Sequence, residues 1–566
     1  MPLTLSKLER GILAAFGAAY LLVGLGAYGL LDNNEGLYAE MAREMLQARS
    51  FVVPHLVGVP YLEKPPLLAW LLAGAYAAFG TSEVVSRLVP VSATLLLLAG
   101  LVAFGRSMCR PSLGWISAAI LATSGVFAML SRTVFPDALL TALFGGAVLL
   151  FHAWHRQRRR VLLVASYALL GLAALAKGFV ALALGGMVFV AFSAWQDGAP
   201  GVRALLDPGA IGALLAVVVP WHVALALADG DFAWFYVVNE HVLRYIGLRR
   251  PHDYYTGPPW YYLPRIPLYL FPWSVFFVLL PLRGRDTAED DEGLERLLWI
   301  WFASALAFFS ISEAKANYYM IVAAPALALL VADRIERLVA AGRTRPMVLC
   351  ALAIAVAGAA AAVLAYTGVE LPRRGLWRFV LKRREELALA ITALAAMSAF
   401  AAALFAAARW RLAVLALALA GFPLLLFGIA TAERGDRWGS SRALAAYLRA
   451  RPAVERVLLY EDYERLSSLP VYLDRPVGVV DSRSNDLAFG MTRGEGPFLE
   501  SARARELLSG RSALLLVHRK RAADFRRCLG DAGLRPVARI GNVVVYERGA
   551  TPELREVRSS HIIAGR

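Results

Sequence analysis

Apolar residues gather into long runs along the chain, separated by short polar stretches. Runs of about 18 or more mostly apolar residues recur, each long enough to cross a bilayer as a helix. They predict about 13 spans, near residues 11–31, 84–105, 113–130, 138–155, 161–176, 178–195, 208–228, 264–282, 294–312, 318–333, 346–367, 386–407 and 412–431. The run 67–80 is apolar but short, and reads as a helix lying in the membrane interface. Backbone inside a bilayer must satisfy its own hydrogen bonds, so the expected class is an α-helical polytopic membrane protein. After residue 432 the pattern changes. SSRALAAYLRA has helical periodicity, while RVLLYED, PVGVVD, SALLLVH and NVVVYER read as short strands, some of them parallel and buried. The expected division is a transmembrane domain over 1–432, with interfacial helices in 32–83 and 229–263, and a small α/β domain over 433–566.

Composition agrees: 58% of the 566 residues are hydrophobic. The formal charge of +16 would suggest nucleic acid in a soluble chain. Here the charge sits in short loops, where helix orientation and anionic lipid headgroups explain it, and no nucleic-acid partner is expected. Cys109, Cys350 and Cys528 are too scattered for a disulfide framework or a zinc motif. The amino terminus reads as an uncleaved first span. Basic clusters at Lys7 and Arg10, Arg106 and Arg110, Arg156 to Arg160, Arg334 to Arg345, and Arg409 and Arg411 fall on one side of the predicted spans, which makes that side cytoplasmic. The basic loop 368–385 dissents and falls outside, where anionic lipid would meet it; the acidic loop 283–296 falls inside. The polar loops 32–83, 131–137, 229–263 and 313–317, the turn at Lys177 and the C-terminal domain then share the outer face. Several of these connections carry residue types used in catalysis, and they are expected to build one site.

Individual residues read two ways. Lys64, between Glu63 and Pro65-Pro66, suits a lipid phosphate as a point charge, or snorkels to headgroups. Asp32, Asn34 and Glu35 offer carboxylates to an acceptor, or cap a helix beginning near Glu35. Asp137 either faces the site or caps the next span, with Arg132 across the same turn. Lys177 is an ionisable group between two apolar spans, with no acid nearby in sequence. In NEHVLRY, Arg244 either holds phosphate or pairs with Glu240 four residues before it. Glu63 and His241 are two possible ligands for a divalent metal such as zinc, a thin basis for a metal site; no cofactor is otherwise required. Lys315 and Tyr318, in EAKANYY, add a cation and a hydroxyl, and Tyr61 another hydroxyl. No nucleotide-binding loop, HExxH or nucleophile elbow is present. A basic site at lipid depth points to a lipid-phosphate substrate.

The run NEGLYAEMAREML…PHLVGVPYLEKPPLLAWL, with VFPDALLT, LAKGFVAL, VVPWH, VNEHVLRY, PWYYLP, SEAKANYYM and YLDRPVGVVD in that order, resembles the GT-C membrane glycosyltransferases. The nearest subfamily is that of the aminoarabinose transferases (ArnT), related to protein O-mannosyltransferases. The resemblance implies transfer of a sugar, 4-amino-4-deoxy-L-arabinose in that subfamily, from undecaprenyl phosphate to a lipid A phosphate with inversion. It also implies the periplasmic face of a bacterial inner membrane, with membrane lipids around the protein. On this expectation Tyr61, Lys64, Arg244, Lys315 and Tyr318 bind the lipid phosphate, and Asp32, Asn34, Glu35 and Asp137 serve sugar or acceptor. One departure stands out: the family usually reads Asp-Glu where this chain has Asn34-Glu35, and Asn cannot take a proton. A phosphate acceptor, already an anion, needs little base and tolerates the change. Two other readings stay open: a same-fold transferase acting on protein or glycan hydroxyls, and a non-catalytic lipid carrier or flippase.

Overall fold

The computed structural model describes residues 5–252, 255–282, 289–367, 383–493, 496–509, 513–529, 533–548 and 555–556. Residues 368–382 of the basic loop and 283–288 of the acidic loop lie outside the described residues.

Among the described residues nine helices are long and apolar enough to cross a membrane, and two bent pairs raise the number to eleven. The bent pairs are Pro111–Thr123 with Gly125–Ser131, at 77°, and Pro259–Tyr269 with Trp273–Leu279, at 110°. The two remaining expected spans are shorter helices, Lys7–Leu22 and Ala324–Ala340, of 16 and 17 residues. Both shortfalls have a local cause that hydropathy does not register. The first run stops at Leu22 and turns at Gly24 (φ +71°), after which Arg87 gathers the carbonyls of Leu25, Tyr28 and Gly29. The other opens with a tight turn of 3-10 helix, Tyr319–Ala323, before its α-helix begins. The short run at 67–80 is a helix, Leu67–Phe79, about 20 Å long at 1.5 Å per residue and so too short to span.

The C-terminal domain carries a seven-stranded sheet in the order β5-β4-β3-β6-β8-β7-β9. Its strands are β3 (Arg456–Tyr460), β4 (Gly478–Val480), β5 (Phe498–Leu499), β6 (Ala513–His518), β7 (Leu534–Ile540), β8 (Val543–Arg548) and β9 (Arg555–Glu556); β1 (His55–Leu56) and β2 (Val59–Pro60) form a separate hairpin. β5, β4, β3 and β6 run parallel, while β6, β8 and β7 are antiparallel. The four expected strands are present. β5, β7 and β9 are additions: β5 and β9 are only two residues long, and Pro536 hides β7 in the sequence, where the pairing register shifts between Pro536 and Ala538. The preceding helix continues to Gly439, so the α/β fold starts a few residues after the expected boundary.

This domain is docked tightly on the loops of the membrane body. Asp32 accepts hydrogen bonds from the Ser468 backbone N–H (2.8 Å), the Ser468 hydroxyl (2.7 Å) and the Ser441 hydroxyl (2.9 Å). Gly36 opens the Glu35–Ala48 helix where a Cβ would meet the Ser468 nitrogen at 2.4 Å, so only glycine admits the approach. Phe489 stacks on Phe235 with ring centroids 3.9 Å apart.

Candidate active site

Two cavities meet where the helix ends face the C-terminal domain. The first, of about 840 Å³, has Asn34, Tyr61, Lys315 and Asp486 among its lining residues. The second, of about 470 Å³, lies among the helices and has Asp137, Lys177, His241 and Phe309 in its wall. Tyr38, Glu63, Lys64, Arg244 and Tyr318 line both, and so form the boundary between a polar chamber and a more apolar one. Loops expected to converge do converge, with Lys64 and Arg244 at the junction.

Lys64 is delivered by a rigid lead-in. The hairpin β1–β2 closes on a Val57-Gly58 turn with positive φ at both residues (55° and 73°), a hairpin geometry. The Tyr61 N–H then donates to the Pro54 carbonyl (2.8 Å), and Pro65-Pro66 starts the Leu67–Phe79 helix. The Lys64 ammonium donates to the Glu63 carbonyl (3.3 Å) and lies 3.7 Å from the Glu63 carboxylate, which leaves protons for a ligand. The Glu63 carboxylate is held instead by Arg249, which also donates to Glu240 (2.6 Å). Arg244 pairs with the other oxygen of Glu240 (3.1 Å). Burial, and then Glu240, push the Glu63 carboxyl up, while Arg249 pulls it down. Burial also holds the phenols of Tyr38 and Tyr61 well above their usual range, so both keep a proton to donate.

Lys177 ends its helix in an ion pair with Asp137, so an acid is close in space although none is close in sequence. Its ammonium also lies over the Tyr319 ring (4.4 Å) and the Tyr318 ring (5.4 Å). The turn that follows needs Gly178 (φ +96°), because a Cβ there would come within 2.3 Å of His241 Nε2. Asp137 Oδ2 is buried and has no hydrogen-bond donor among the described residues.

Three expectations are corrected. Glu35 lines neither cavity: its two oxygens accept from Arg87 (2.9 and 2.5 Å), Val134 N–H (3.1 Å) and Leu31 N–H (3.0 Å), which engages both of them away from the site. Asp32 reaches the first cavity, but its carboxylate is committed to the serines that dock the C-terminal domain. Lys315 also lines that cavity, yet its ammonium donates to the carbonyls of Phe309 (3.0 Å), Ser310 (3.0 Å) and Ser312. It caps the C-terminal end of the Glu289–Ile311 helix and has no proton left for phosphate. Glu63 and His241, the two expected metal ligands, each have other partners in this structure. His241 Nδ1 donates to the Tyr236 carbonyl (2.7 Å), its Nε2 accepts from Phe179 N–H (3.1 Å), and Glu63 belongs to Arg249. Burial lowers the imidazole to about 4, so it is neutral. Among the described residues no three His, Cys, Asp or Glu side chains gather as a metal set. Arg132, the other side of the Asp137 turn, holds the carbonyls of Tyr20 (3.0 Å) and Val23 instead of facing the site.

Two contributors were not read from the sequence. Arg249 sits in a stretch, LRRP, that looks like ordinary basic loop; only its burial (4% exposed) distinguishes it. Asp486 comes from the C-terminal domain, where no motif marks it.

Residues 63–223 match the model of the dolichyl-phosphate-mannose-protein mannosyltransferase family. Over 330 residues the chain is 34% identical to the undecaprenyl phosphate-alpha-4-amino-4-deoxy-L-arabinose arabinosyl transferase of Pseudomonas aeruginosa strain LESB58, covering 56% of this chain and 58% of that one. Over 346 residues it is 30% identical to the corresponding transferase 1 of Pseudomonas fluorescens strain Pf-5, covering 59% and 60%. The match thus spans less than two thirds of either relative. The crystal structure of ArnT from Cupriavidus metallidurans bound to undecaprenyl phosphate superposes with a TM-score of 0.82 at 22% identity, over 95% of this chain and 97% of that one. The apo structure of the same protein gives 0.79 over the same shares. By fold, the chain is similar to that ArnT structure over nearly its whole length.

Proposed function

We propose that the chain transfers a sugar from undecaprenyl phosphate to a phosphate of lipid A, and that the sugar is 4-amino-4-deoxy-L-arabinose. The observation that carries this reading is the shared wall of the two cavities. Lys64 and Arg244 stand where a polar chamber opens into an apolar one, which suits a donor with an ionic head and a polyprenyl tail. The named relatives aligned above support the choice of donor and sugar. The acceptor oxygen attacks the anomeric carbon from the face opposite the leaving group, so the configuration inverts. The bond from that carbon to the phosphate oxygen breaks, and its electron pair stays with the phosphate, which gains one negative charge. Lys64 and Arg244 offset that charge as it develops, and Tyr61 and Tyr318 donate hydrogen bonds to the same group. Asp137, with its unengaged Oδ2, and Asn34 orient the sugar and acceptor. An acceptor phosphate is anionic already, so Asn34 in place of an acid costs little.

The positive-inside pattern supports a bacterial inner membrane with the cavities and the C-terminal domain on the periplasmic face. The lead-in from Lys64 through the spans to residue 223 matches a protein mannosyltransferase model, which favours protein hydroxyls as the second reading for the acceptor. Purified protein incubated with undecaprenyl-phosphate aminoarabinose and either lipid A or envelope protein separates the two. A mass gain of one sugar on lipid A is expected; a gain on protein alone contradicts the acceptor, and none on either contradicts transfer.

A further inference from the structure

The segment 484–493 of the C-terminal domain is pinned to the membrane body along its length. The Asn485 amide donates to the His252 carbonyl (3.1 Å), and Gly490 packs where a Cβ would meet the Pro60 carbonyl at 2.3 Å. Phe489 stacks on Phe235, and Arg493 pairs with Asp231. Within the domain, the Ser484 hydroxyl accepts from the Leu487 N–H (3.0 Å). Everything around Asp486 is therefore fixed, yet among the described residues nothing donates to its carboxylate. It lines the polar cavity beside Tyr38, Tyr61 and Lys64. Of the nearby cations, Arg249 is engaged by Glu63 and Glu240 and Arg244 by Glu240, while Lys64 stands 3.7 Å from Glu63 with protons left for the donor phosphate. A rigidly held, unpartnered carboxylate facing a ligand cavity is complementary to a cation.

We infer that Asp486 determines sugar specificity: its carboxylate receives the ammonium group of an amino sugar on the polyprenyl-phosphate donor. The inference rests on the donor proposed above but not on turnover. The neighbouring Glu63 pushes the Asp486 carboxyl up to about 7, and an ammonium relieves that repulsion between two carboxylates. The role also gives the cavity an acid from a second domain where the loop after the first helix has Asn34.

The test is a binding measurement on the detergent-purified full chain, with two lipids: undecaprenyl phosphate carrying 4-amino-4-deoxy-L-arabinose, and the same lipid carrying L-arabinose, in which a hydroxyl replaces the amine. The wild type is expected to bind the amino lipid more tightly. Asp486→Asn is expected to weaken the amino lipid roughly tenfold or more, the scale of a lost hydrogen bond to a charged group, and to leave the hydroxy lipid within about twofold. Asp486→Glu should keep the preference, and serves also where the Asn variant does not fold. Equal binding of the two lipids by the wild type overturns the inference, as does a parallel loss for both lipids in Asp486→Asn, or loss of the preference in Asp486→Glu. Because binding is read directly, absence of transfer contradicts the proposed function without deciding this question.

Discussion

Lys64 Nζ lies 3.7 Å from the carboxylate of its neighbour Glu63, too far for a hydrogen bond, because that carboxylate is turned to Arg249. One guanidinium thereby keeps the lysine available. It also spans Glu63 and Glu240, both buried, and offsets the rise that burial and the Glu240 charge cause in the Glu63 carboxyl.

Replacing Arg249 removes the shared cation from both acids. Arg249→Met is expected to destabilise the protein by about 3–5 kcal/mol, the usual result of stripping one member from a buried ion cluster. Thermal unfolding in detergent reads the loss. In whatever fraction stays folded, Lys64 is expected to turn to Glu63 and donor affinity to fall.

Lys315 and Lys64 line the same cavity but differ in what their ammonium groups hold. Lys315→Met should cost about 1–3 kcal/mol of stability through the uncapped helix end, with the Kd for undecaprenyl phosphate unchanged. A weakened Kd in a folded Lys315→Met protein would return that residue to the phosphate site.

Asp32 links pH to docking of the C-terminal domain. Burial raises its carboxyl to about 7, above the ~3.9 of an unfolded chain. Between these values the folded state binds more protons than the unfolded one. Its contribution to stability therefore falls as pH rises from about 4 to about 7, and levels off above. Unfolding followed across that range should show the decline, and Asp32→Asn should make it shallower.

Much of this is legible in the sequence. Apolar runs marked where the chain enters the membrane, since burial in lipid acts on composition alone. Lys64, Arg244, Asp137 and Tyr318 stood out as polar residues at the ends of such runs, and the fold brings them together. What the sequence hid were pairings over long separations. Nothing local says that Glu35 will meet Arg87, 52 residues on, or that Asp32 will meet Ser468, 436 residues on. Lys315 looked like a free cation because the carbonyls it caps become acceptors only once the preceding helix ends beside it. Asp486 was invisible because its significance depends on a domain contact. Helix breaks at Gly24 and before Ala324 escaped for a related reason: hydropathy averages over a turn that backbone geometry does not.

His241 spends both ring nitrogens on backbone partners, and Glu63 is held by Arg249. Chelation with EDTA is accordingly expected to leave sugar transfer within about twofold, against the tenfold or greater losses typical when a required metal ligand set is disturbed. Loss of transfer on chelation, restored by zinc, would show that the two side chains rearrange to hold a metal in the working enzyme.

On the proposed function, a polyprenyl phosphate is gripped at the junction of the two cavities, with Lys64 as its principal cation. Transfer from undecaprenyl-phosphate aminoarabinose to lipid A, followed by mass for wild type and for Lys64→Ala of matched thermal stability, tests it directly. A loss of about a hundredfold or more is expected in Lys64→Ala, the order seen when a group that stabilises developing charge is removed. Transfer at the wild-type rate by well-folded Lys64→Ala protein would contradict it.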